Sequence, residues 1–117
     1  MKKRGVEMLV LPIKKKWYDL ILRGVKTEEY REIKPYWATR FVNAGLLEYT
    51  FRKDPACTML TFNRVEVMFR NGYSDKSPSF IATVGLTRDF GKPEWGAKKG
   101  VKYYVLHIYD IRRETKG

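Results

Sequence analysis

Residues 101–111 read as one strand whose two faces are both largely apolar. Tyr103, Val105, His107, Tyr109 and Ile111 fall on one side of an alternating backbone. Lys102, Tyr104, Leu106, Ile108 and Asp110 fall on the other. Such a strand needs cover on both faces, so the run restricts the chain to folds built around a sheet. The rest of the second half agrees. Within 58–71, Val65, Val67 and Phe69 alternate with Glu66, Met68 and Arg70, and Asn71-Gly72 is a strong turn signal. Residues 74–79 form a polar loop and residues 80–86 a buried strand. Residues 88–100, with Gly91, Pro93, Gly96 and Gly100, read as a long loop.

The first half mixes both periods. Residues 6–11 have strand composition, with Pro12 as a breaker after them. In 14–23, Trp17, Leu20 and Ile21 recur at helical spacing, and Gly24 supplies a stop. Residues 26–33 read as a second strand. In 34–41, Pro35 suits a first helical position, and Trp37 and Phe41 share a face, so a short helix follows. Residues 43–53 fit either type, and Asp54-Pro55 marks a turn. There is no repeat and no interdomain linker. The reading is one α+β domain over 1–117, with a loose basic tail at 1–5 and a loose C-terminal tail at 112–117. The even strand spacing suggests a barrel-like sheet.

Charge narrows the partners. Lys and Arg number 24 against 13 Asp and Glu, a net charge of +11. Such a field attracts polyanions, nucleic acid first. An anionic membrane is a weaker candidate, because no long amphipathic helix is visible. The bland alternative is a solvated basic surface without a particular partner. Cys57 is the single cysteine, so no intrachain disulfide forms, which fits a reducing compartment. No apolar run approaches the roughly 20 residues that span a bilayer, and the basic start lacks the apolar segment of a secretory signal. A cytosolic protein is expected.

One stretch carries charges that burial does not demand: Gly24-Val25-Lys26-Thr27-Glu28-Glu29-Tyr30-Arg31. On an alternating strand, Lys26, Glu28 and Tyr30 share one face and Thr27, Glu29 and Arg31 the other. Glu29 and Arg31 are then placed to pair. Lys26, three positions from Glu29, falls on the opposite face unless a bulge breaks the alternation. Its removal is expected to weaken ligand binding and leave stability nearly unchanged. Lys14, Lys15 and Lys16 open a helix, where cations are unfavourable. They either hold an anion together with the helix dipole or face water. Tyr30, Tyr36 and Trp37 interleave with Lys26, Arg31, Lys34 and Arg40, and rings beside cations suit base stacking. Tyr36 is the better stacking candidate, because Trp37 reads as core.

The spacing Gly24-x-Lys26-x-x-Glu29-x-Arg31 resembles the GxKxxExR signature of the ASCH domain, a relative of the PUA domain. It follows a strand and a helix, as it does in that family. The segment from Val67 to Tyr73 and the β-rich end are also similar to small single-domain ASCH proteins of bacteria and phages, from about Val6 to Ile111. The resemblance implies a PUA-like β-barrel of five or six strands with two or three short helices. It also implies a cleft beside the motif that takes RNA or a nucleotide. Carried over, Gly24 would shape the turn, and Lys26, Glu29 and Arg31 would line or support the cleft; Lys14, Lys34, Tyr36 and Arg70 are further binding candidates from their own charge or ring. One branch of the family deacylates an acylated cytidine nucleoside. It has a threonine three residues after the lysine and a glutamate on a later strand. Here Glu29 takes the threonine position, and residues 80–86 contain no acid. Ribonuclease activity also occurs in the family.

Three functional classes follow. The first is an RNA- or nucleotide-binding domain. The second is a hydrolase of a modified nucleoside or of RNA, with Lys26 and Glu29 as catalytic candidates. The third is a protein-interaction module whose charge serves solubility. His107, alone among apolar neighbours, reads as structural, and Cys57 has no partner array. No metal or cofactor is expected.

Overall fold

The computed structural model describes residues 8–50 and 59–112. The tail 1–5, the Asp54-Pro55 turn, Cys57 and the C-terminal tail beyond Arg112 lie outside them. The elements are β1 (Leu9–Ile13), α1 (Lys15–Leu22), β2 (Glu28–Glu32), α2 (Pro35–Asn43), β3 (Leu47–Thr50), β4 (Met59–Phe62), β5 (Val65–Asn71), β6 (Ser79–Phe90) and β7 (Lys102–Arg112). Five strands form one sheet in the order β1-β5-β6-β7-β2, and β3 pairs with β4 separately. Only β1 and β5 run parallel; the other pairs are antiparallel. The fold is α+β, with the sheet curled into a half-barrel.

β7 lies between β6 and β2, and Tyr103 to Leu106 are buried on both faces. One face carries the main core, where Leu106 and Tyr104 meet Leu86, Phe41 and Ile21. The other carries a small cluster of Tyr103, Val105 and Ala97 with Tyr30 against it. The segment after β6 covers that second cluster. Gly91 permits the approach, since a Cβ there would stand 2.7 Å from both the Tyr30 ring and the Ala97 methyl.

Several boundaries differ from the sequence reading. β1 runs through Pro12 instead of stopping before it. Proline is tolerated because β1 is an edge strand, paired only with β5. β2 begins at Glu28, two residues late. Of the expected strand 58–71, the described residues 59–71 form two strands, broken at Asn63-Arg64. β6 continues to Phe90, and its residues pair with β7 well into the expected loop. Within the ambiguous 43–53, the described residues 43–50 hold the end of α2 and then β3. β7 also changes parity. The register shifts between Thr83 and Val84, leaving Tyr109 as an extra residue opposite them. This bulge turns Ile111 to the main core, beside Ile108, instead of the side of Tyr103 and Val105.

Candidate functional site

α1 ends in a Schellman motif. The Gly24 N–H donates to Ile21 O and the Val25 N–H to Leu20 O, both at 2.9 Å, with Gly24 at φ +78°. This reversal sends the next side chain inward. Lys26 is fully buried, with its ammonium between the Trp17 and Tyr30 rings, 5.2 and 5.4 Å from their centroids. It donates to Glu28 O and to Glu29 Oε1, the latter at 2.5 Å. Glu29 Oε2 accepts from Arg31 Nη1 at 2.5 Å. Arg31 also donates to Tyr30 O at 2.8 Å and, through Nη2, to Pro12 O at 3.3 Å. Its guanidinium lies 5.1 Å from the Trp37 ring centroid.

The expected Glu29–Arg31 pair is present, and Lys26 gives Glu29 a second cation. The expectation that Lys26 and Glu29 face apart is corrected. Lys26 precedes the strand, which starts at Glu28, so alternation does not reach it. Lys26 is also buried, where the sequence reading takes its charge as one that burial does not demand. Burial lowers its pKa below the ordinary 10.5, against the pull of Glu29 and with a smaller push from Arg31. Burial likewise raises the Tyr30 phenol.

Arg31 has a second consequence. β1 and β2 are the two edges of the open sheet. The bond to Pro12 O therefore ties one edge to the other across the seam of the half-barrel.

Among the described residues, hydrogen bonds and ion pairs join Lys26, Glu29 and Arg31 into one chain, and Lys14, Lys34, Tyr36 and Arg70 lie outside it. Lys14 is the exposed N-cap of α1, and its neighbour Lys15 pairs with Asp19 at 2.7 Å. Lys34 is the N-cap of α2 and pairs with Glu32 at 2.8 Å in solvent. Tyr36 is exposed, edge-on to half-buried Trp37, with the Arg40 guanidinium 4.5 Å from its ring centroid. Arg70 stands beside Pro12 in the sheet register, and its Nε is buried without a hydrogen-bond partner.

Open concave surface lies where β2 passes into α2. A cleft of about 550 Å³ has Ile33, Ala38, Val42 and Tyr104 as apolar lining, with Lys34 and Arg88 as its cations. A depression of about 350 Å³ adjoins it through Ile33 and Lys34 and adds Glu32, Lys98 and Lys102. Another of about 450 Å³ adjoins it through Pro35, Thr39 and Asn43 and adds Tyr36 and Arg40. Sequence reasoning missed Arg88 and Lys102 here. Polar composition puts Arg88 in a loop, but continuing the alternation past Leu86 brings it to the core-side face, opposite Tyr104.

His107 was also missed as a neighbour of the motif. It pairs with Glu28 across β2 and β7, its Nδ1 3.7 Å from Glu28 Oε2 and its Nε2 2.8 Å from Thr87 Oγ1. Glu28 accepts from the Tyr30 hydroxyl at 2.7 Å, and the Lys92 N–H donates to that hydroxyl at 2.9 Å. This network occupies the outer face of the sheet and fastens the segment after β6 to the motif strand. Among the described residues no His, Cys, Asp or Glu cluster is placed to hold a metal, and no helix is long and apolar enough to cross a membrane.

No protein-family model matches the chain, and no curated protein or solved structure is significantly similar to it.

Proposed function

We propose that the chain is a PUA-like domain of the ASCH type that binds RNA or a nucleotide through the surface at the β2–α2 junction. One observation carries this reading: the adjoining clefts there present Lys34, Arg40, Arg88, Lys98 and Lys102 against a single acid, Glu32. The net charge of +11 adds long-range attraction of the same sign. The motif's own charges are turned inward, so their part is to hold β2 and its exit in place. The GxKxxExR spacing, placed after a strand and a helix in a curled five-stranded sheet, supports the family reading.

Fluorescence anisotropy of labelled RNA at several salt concentrations tests this. Binding should weaken as salt rises, with a log–log slope growing by about 0.7 for each phosphate neutralised. Absence of binding even at low salt would remove the proposal.

A second reading, nucleoside deacylation, is favoured by the Lys26–Glu29 contact at 2.5 Å. A depressed lysine beside a carboxylate is a proton-transfer pair. The full burial of the Lys26 side chain keeps a substrate away from it, which ranks this reading second. Acetylated cytidine incubated with the protein should remain intact by chromatography. Turnover that vanishes in Glu29→Gln would promote the hydrolase over the binder.

A further inference from the structure

The three depressions at the β2–α2 junction adjoin in a row, since each outer one shares lining residues with the central one and none with the other. Their characters differ in order along it. One end is a cationic pair, Lys98 and Lys102. The middle has an apolar lining with Lys34 and Arg88 beside it. The other end presents the exposed Tyr36 ring with the Arg40 guanidinium over it.

From this sequence of surfaces we infer that the groove is a track for single-stranded RNA of about three nucleotides, one per depression. The inference rests on the RNA-binding reading and narrows it to one ligand class. The central cleft, about 550 Å³ and lined by Ala38, Val42 and Tyr104, takes an unstacked base. Thr39 and Asn43, in the same lining, supply hydrogen-bonding groups for a base edge. Lys34 and Arg88 meet the phosphates on either side of that base. Lys98 and Lys102 hold the backbone at one end. The Tyr36–Arg40 pair offers a flat surface for a base at the other. A duplex keeps its bases stacked inside and has none to place in the central cleft. A mononucleotide fills one depression and leaves the outer cations unused.

The test is competition against a labelled oligonucleotide by unlabelled RNAs of one to six nucleotides, a duplex of matching sequence, and polyglutamate. Affinity should climb steeply up to about three nucleotides and then flatten. The duplex and polyglutamate should compete poorly. Val42→Trp, at an exposed position of α2 that lines the central cleft, should weaken single-strand binding about tenfold, the loss of one base contact. Lys76→Ala, at an exposed position between β5 and β6, should leave it unchanged. Circular dichroism confirms that each variant is folded; if Val42→Trp is not, Val42→Phe, a smaller intrusion into the same cleft, takes its place with the same expectation.

A mononucleotide as good as a trinucleotide would overturn the track. Equal binding of duplex, equal competition by polyglutamate, or full affinity in the folded cleft variant would overturn base insertion. If no RNA of any length binds, the parent proposal fails and the track with it.

Discussion

Lys26 shows what a single residue's chemistry reveals and what it hides. Its charge was plain in the sequence, and its burial was not, because nothing in residues 24–31 announces that a glycine stop will turn the chain inward onto Trp17 and Tyr30. The structure therefore reverses the expected effect of its removal. Lys26→Ala leaves a void between two rings and strips the buried Glu29 carboxylate of one of its two cations. The expected cost is about 3 kcal/mol in urea unfolding. Lys26→Met, which fills the space without a charge to desolvate, should cost clearly less. Equal stability of Lys26→Ala and the parent protein would contradict the burial.

The same residue sets a pH dependence. Between its depressed value and 10.5 the unfolded chain holds a proton at Lys26 that the folded chain has released. Stability from this group therefore rises with pH across that interval and falls as pH drops through it. Tyr30 has the opposite sign. Its phenol is raised above the ordinary 10.0, so its contribution is present below that value and is lost as pH climbs past it. In a Tyr30→Phe background only the lysine effect remains. Urea midpoints from about pH 7 to pH 10 should rise relative to Tyr30→Phe/Lys26→Met. A difference that stays flat would mean that Lys26 keeps its proton in the folded state.

At the scale of elements, β2 acts as a brace. Its Arg31 reaches the backbone of β1, the opposite edge of the sheet, and its Tyr30 and Glu28 fasten the segment after β6. Arg31→Lys retains a charge for Glu29 but loses the planar fork that also reaches Pro12, so it should destabilise by about 1–2 kcal/mol. Unchanged thermal stability would remove the seam from the account. Gly91→Ala places a methyl 2.7 Å from Tyr30 and Ala97 and should cost about 1–3 kcal/mol. Faster amide hydrogen exchange in residues 91–100 would locate the damage, and protection equal to the parent's would contradict it.

Elements were legible where local chemistry decides them. The helix ending at Gly24, the helix opened by Pro35 and the doubly covered β7 follow from spacing, caps and alternation. What escaped depends on partners distant in sequence. Pro12 is acceptable in a strand only because β1 is an edge. The Tyr109 bulge is a mismatch of two strands and belongs to neither alone. The length of β6 past Leu86 comes from pairing with β7, which overrides the polar composition of Thr87 to Asp89.

For the whole molecule, a net charge of +11 says that a polyanion is attracted but not where it rests. The proposed site supplies a location, and it does so through residues from separate elements: Lys34 before α2, Arg88 on β6, Lys102 on β7. No spacing in the sequence links these three, so the groove could not be read from it, whereas the motif strand that leads into the groove could.

The most direct measurement compares two double charge reversals of equal net charge. Lys34→Glu/Arg88→Glu alters the central cleft, and Arg23→Glu/Lys76→Glu alters two exposed positions outside the three depressions. RNA affinity and its salt slope are measured for both by anisotropy. The account predicts that the cleft pair loses more than about tenfold in affinity and lowers the slope by roughly 0.7 per lost phosphate contact, while the control pair stays within a few-fold of the parent. Equal losses in the two variants would show that diffuse charge, and not the β2–α2 groove, holds the RNA.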